Sequence, residues 1–207
     1  MVRDMTSGRP LRLILAFAIP LLLGNLIQQI YNTVDSAIVG QFIGKEALAA
    51  VGSTGSIFNL VIGFTGGVAA GFGIILASYF GAGDHDLLRN CVANIIYLAA
   101  GITVVLTVLA VSLARPMLLW MDTPPDILED AYRYIVIIYA GIFSAMLYNV
   151  LAYILRALGD SRTPLNAMIV AALTNIALDL LFVLVFRWGI AGAAAATLIA
   201  QVLSSVF

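Results

Sequence analysis

The chain has 207 residues and a formal net charge of −1; 62% of it is hydrophobic and only 10% is charged, against about 25% charged in an ordinary soluble domain. A soluble fold of this size needs far more polar surface, so lipid is the natural solvent, and a near-zero net charge gives no case for nucleic acid as a partner. One cysteine, Cys91, and one histidine, His85, cannot assemble a disulfide, a zinc cluster or a Cys–His catalytic pair.

Six stretches are long and apolar enough to span a bilayer, which takes about 20 residues at 1.5 Å each. They lie near 11–41, 47–80, 88–114, 127–156, 164–187 and 190–207. Helices are expected throughout, because a backbone in lipid must satisfy its own hydrogen bonds. The first stretch follows Arg3, Arg9 and Arg12 and runs far past the length of a signal core, so it reads as a membrane helix. Pro20 lies inside it and is expected to kink it. The second carries Gly63, Gly67 and Gly71 at four-residue spacing, a smooth stripe suited to helix packing.

Polar turns separate the stretches: Gly44-Lys45-Glu46, Gly81 to Asp86, Asp122 to Asp126, and Gly159 to Pro164. His85, between Asp84 and Asp86, reads as a solvated turn residue, and Cys91 as a packing residue. The balance of Lys and Arg between alternate loops favours a cytoplasmic N-terminus; the expected location is a prokaryotic cell membrane, with the chain as a multi-pass protein.

Two carboxylates fall where lipid should exclude them. Asp35 lies in the first stretch and Asp179 in the fifth, and a charge near the bilayer centre costs at least about 2.5–3.5 kcal/mol. Asp35 stands ten residues before Lys45 and Asp179 eight before Arg187. Both helices run in the same direction, so both acids lie about 12–15 Å below the same membrane face. Asn175 is one turn from Asp179 on the same face, and Thr197, in the sixth stretch, reaches a similar depth. Asp35, Asn175, Asp179 and Thr197 could therefore line one polar pocket. Oxygen ligands of this kind suit Na+ or a proton, and they attract an organic cation. Gln28 lies on nearly the same face as Asp35. With Asn149 and Tyr139 of the fourth stretch, it is a candidate for substrate contact.

The ordered motifs resemble those of the MATE (multidrug and toxic compound extrusion) transporters. They are Ile19-Pro20, Tyr31 to Gly40, Gly44 to Gly52, Leu155 to Asp160 with Thr163-Pro164, Asn175 to Asp179, and Gly189 to Thr197. The resemblance implies an all-α membrane lobe of six helices, the N-terminal one of two. It implies an antiporter, not an enzyme, exporting organic cations or drugs in exchange for H+ or Na+, with no cofactor. It also implies that Asp35, Asn175, Asp179 and Thr197 form the cation site of some members, and that a bend at Pro20 changes with protonation. Members are about twice as long, so the chain, ending at Ser204-Ser205-Val206-Phe207, is expected to be a fragment without its C-terminal lobe. The alternative is a homodimer of half-transporters.

Three other functions compete with efflux. A flippase for lipid-linked precursors would need a basic cavity, and no basic residue lies mid-membrane. An intramembrane aspartyl protease would use the two acids as a dyad. A structural subunit would tolerate the loss of both.

Overall fold

The computed structural model describes residues 9–206; Arg3 and Phe207 lie outside the described residues. Among these the chain is helical, with no strand. In order come α1 (Pro10–Ile38), a wide π-helical segment π1 (Val39–Ile43), α2 (Lys45–Gly81) and α3 (His85–Trp120). Then follow α4 (Pro125–Ala140), α5 (Ile142–Ala157), α6 (Arg162–Asp179), a second wide segment π2 (Leu180–Val185) and α7 (Gly189–Val206). Five of these spans are long and apolar enough to cross a membrane alone, and the bent pair α4–α5 makes a sixth.

The starts of these helices follow local chemistry. Pro10 and Pro125 sit in first turns, where a missing N–H costs nothing. Asp84 caps α3 by accepting from the Leu87 amide at 3.0 Å. Asp160 caps α6, accepting from the amides of Arg162 (3.0 Å) and Thr163 (3.1 Å) and from the Thr163 hydroxyl (2.8 Å). Gly44 and Gly159 turn the chain with φ of 130° and 81°, values open to glycine at little cost.

Three expectations need correction. The fourth stretch is two helices, bent by 45° at Gly141. A Cβ at Gly141 would collide with the Leu198 side chain, so only glycine lets α7 press in at this point. The third stretch continues through Arg115 and Pro116 to Trp120, since a proline near a helix end removes one hydrogen bond and need not stop the last turn. Among the described residues nothing packs on the glycine stripe of α2: beyond its own helix, no described atom lies within 4 Å of a Cβ at Gly63, Gly67 or Gly71. The close approach on α2 is at Gly73, where Tyr153 would stand 3.2 Å from a Cβ. α1 runs as unbroken helix through Pro20.

The exterior is large and apolar (Leu11, Ile14, Leu22, Leu60, Ile74, Val104), as a lipid-facing surface requires. The interior is rich in alanine, especially along α7 (Ala193, Ala194, Ala196, Ala200), which brings helix backbones close. One buried cluster joins α2, α3, α4 and α7 at the end of the bundle where α2 begins. A smaller one joins α2, α3 and α5 at the opposite end. There α1 and α6 stand away from α2 and α5, and a cavity opens between the two pairs. α1 buries only Asp35 and Ile38, so its first five turns are held weakly.

Candidate functional site

α1 packs along α6, and π1 touches π2. Asp35 lies one turn before π1, and Asp179 is the last residue before π2. This matched placement brings the two carboxyl groups within electrostatic reach of each other. Asp35 is 8% exposed and Asp179 0%. Asn175 and Thr197, at 1% and 5% exposure, complete the group: the Asn175 amide donates to Thr197 Oγ1 at 3.3 Å, and Thr197 Oγ1 donates to the Ala193 carbonyl at 3.2 Å. The four residues that depth arithmetic placed at one level are thus neighbours.

Their oxygens lack donors. Both oxygens of Asp179, Oδ1 of Asp35 and Oδ1 of Asn175 are buried and accept no hydrogen bond. No basic side chain among the described residues acts on either acid. Buried acceptors without donors are costly, and two facing carboxylates repel in a low dielectric. Chemically, such a cluster is suited to a positive partner, either a proton shared between the acids or a hard cation held by oxygens.

Sequence reasoning missed two tyrosines beside the acids. Tyr31 and Tyr134 both stand within electrostatic reach of Asp35 and Asp179. Tyr31 had a signal, since it lies four residues before Asp35 on the same helical face. Tyr134 had none, because it arrives from α4.

The cavity encloses about 440 Å³ between α1, α2, α5, α6 and α7. Tyr31, Asn175 and Thr197 line it, and Asp35 and Asp179 lie behind them, off its surface. Gln28, Pro20 and Asn149 line its walls; the Asn149 amide donates to Thr65 Oγ1 at 3.3 Å. Tyr139 does not line it. It is fully buried among apolar side chains in the opposite half of the bundle, so its place is that of a core residue.

The cavity is thus walled by helices of an apolar bundle and lined in part by amide side chains, with the paired acids outside its lining. The MatE family model matches residues 20–181, and the chain belongs to that family. It is 32% identical to the probable multidrug resistance protein YpnP of Bacillus subtilis over 96% of this chain and 44% of that protein. It superposes on a crystal structure of MATE in the bent conformation with a TM-score of 0.90 at 30% identity, covering 96% of this chain and 44% of that one. An outward-facing structure of a multidrug resistance MATE transporter of the MOP superfamily matches with a TM-score of 0.91 at 29% identity, over 99% and 47% of the two chains. The chain thus spans less than half the length of the relatives it matches, and its fold is that of one transporter lobe.

Proposed function

We propose that this chain is the ion-coupling lobe of a secondary antiporter that exports drug-like organic compounds, organic cations among them, in exchange for H+ or Na+. The observation that carries the proposal is the set of buried oxygens of Asp35, Asn175 and Asp179 that no donor satisfies. Such a set is costly to keep unless an ion or proton visits it. The lobe would work with a second lobe of similar size in a prokaryotic cell membrane, its N-terminus cytoplasmic.

In this mechanism a proton or Na+ enters from outside and sits between Asp35 and Asp179. Neutralising the pair removes their repulsion and lets α1 and α6 close together at that level. α1 is the element able to respond, because it is the least buried helix and carries Pro20 beside the cavity. Movement of α1 then releases the cargo outward. Thr197 and Asn175 stand between acids and cavity and transmit the change.

The test is efflux from vesicles carrying this chain with a C-terminal lobe, under an imposed pH or Na+ gradient. Asp35→Asn and Asp179→Asn should each abolish gradient-driven efflux while the protein still reaches the membrane. Efflux that survives both substitutions would sink the proposal.

A further inference from the structure

Among the described residues the cavity is lined by one charged side chain, and its sign is positive. Asn25, Gln28, Asn59, Asn149, Asn175 and Gln201 are among the residues that line it, with tyrosines and apolar groups between them; no described Asp, Glu or Lys does, and Arg156 supplies the only formal charge among them. Primary amides donate and accept equally and so do not discriminate by charge. The choice between an anion and a cation at the mouth falls to Arg156.

Arg156 is not explained by its own helix. It lies in the last turn of α5, where a cation is favoured by the helix dipole and would ordinarily donate to the terminal carbonyls. Here its Nε is buried and has no acceptor. Its guanidinium lies over the Tyr153 ring, 4.9 Å from the ring centre, a cation–π contact that holds it beside the cavity. Its charge is felt by Tyr148, whose hydroxyl is already used in donating to the Pro164 carbonyl at 3.3 Å. Tyr148, Tyr153 and Pro164 all line the cavity beside it. A guanidinium placed over an aromatic ring, with a buried donor unused and no ion pair to a carboxylate among the described residues, is organised to receive a carboxylate or phosphate.

We infer that Arg156, flanked by Tyr148 and Tyr153, is an anion-recognition subsite at the mouth of the cavity, taking the carboxylate or phosphate of an amphiphile whose apolar body lies along the amide-bearing walls. The anion comes either from a transported ligand or from a lipid headgroup, since the mouth lies at the ends of α5 and α6 where headgroups begin. The inference rests on reading the cavity as the cargo path, and its test reads equilibrium binding without a gradient. Its failure is therefore separate from a failure of coupling at Asp35 and Asp179.

The probes are dansyl-labelled undecanoic acid and dansyl-labelled undecylamine, matched in length and opposite in charge, titrated by fluorescence into the purified chain in maltoside micelles at neutral pH. The acid should bind at least about tenfold more tightly than the amine, a factor that a single charge-assisted pair can supply. Arg156→Gln should erase that preference by weakening the acid, with the amine unchanged or tighter. Arg156→Lys should keep most of the preference, and Arg133→Gln, on the exposed start of α4, should keep all of it. Equal affinity of the wild-type chain for both probes overturns the inference, as does a preference that persists in Arg156→Gln. If Arg156→Gln weakens both probes equally while Arg156→Lys does not restore the acid, the residue is structural and the inference again fails. Repeating the titration in phosphatidylcholine nanodiscs, with and without phosphatidylglycerol, separates the two sources. Competition by phosphatidylglycerol that vanishes in Arg156→Gln assigns the subsite to a lipid phosphate; lack of competition assigns it to the carboxylate of a ligand.

Discussion

At the scale of single residues, the acids and their neighbours differ in how readily they can be replaced. Thr197→Ala should weaken coupling without abolishing it, because the Asn175 amide loses the acceptor that holds it at 3.3 Å while both carboxylates remain; gradient-driven efflux that falls to a fraction of wild type would show this. Asp160 has a purely architectural task. Burial alone would raise its pKa, but hydrogen bonds to its carboxylate, those from Thr163 and Arg162 among them, outweigh burial and hold it at about 2, below its ordinary 3.8. A depressed carboxylate pKa means that the stabilisation is complete above about 3.8 and is lost as the pH falls towards about 2. The α6 cap should therefore survive any pH at which transport is measured. Asp160→Ala should cost about 1 kcal/mol, the usual loss for a helix cap, read as a lower unfolding midpoint in detergent. Asp35 and Asp179 were legible from the sequence because lipid makes a carboxylate conspicuous. Tyr134 was illegible because a buried tyrosine in an apolar helix looks like any other core residue until a neighbouring helix is placed against it.

At the scale of the elements, hydropathy revealed the spans and concealed their irregularities. A uniformly apolar helix has no polar face whose rotation could betray a break, so the bend at Gly141 left no periodic trace. At the break, Gly141 lies against Leu198 of α7, a contact that the local sequence cannot show. Gly141→Ala should destabilise the lobe by about 1–3 kcal/mol through overpacking, and adding Leu198→Ala should recover most of that loss in the same unfolding assay. Gly67→Ala is the contrasting case. It meets no atom within 4 Å and replaces glycine inside a helix, so the isolated chain should be unchanged or stabilised by up to about 1 kcal/mol. If it is destabilised, that face of α2 is covered by something within this lobe.

At the scale of the whole molecule, the two ends of the bundle differ in packing and in charge. The end where α1 begins and α5 finishes holds Arg9, Arg12, Arg89, Arg156 and Arg162 and the mouth of the cavity. The other end holds Asp122, Asp126, Glu129 and Asp130, with an exposed ion pair between Arg133 and Glu129 at 3.5 Å. It also carries the aromatic cluster of Phe182, Phe186 and Trp188, suited to a membrane–water boundary. With the basic end cytoplasmic, a cysteine introduced by Ala82→Cys, in the exposed turn between α2 and α3, in a Cys91→Ser background should react with a membrane-impermeant maleimide only from the cytoplasmic side. One introduced by Asp126→Cys, exposed at the start of α4, should react only from the opposite side. Labelling in the reverse sense would invert the proposed direction of transport.

The two π segments have a geometric consequence for the acids that precede them. A π turn holds one more residue than an α turn, so each helix stores one residue of slack just beyond its carboxylate. If that slack were handed back along the helix past the acid, the residues it passed would rotate by about 100°, one step of an α-helix, with no hydrogen-bonded turn lost overall. Asp35 and Asp179 are thus mounted on helices that can be turned like a screw through one thread, and a turn of that size is enough to point a carboxylate from its partner towards a different neighbour.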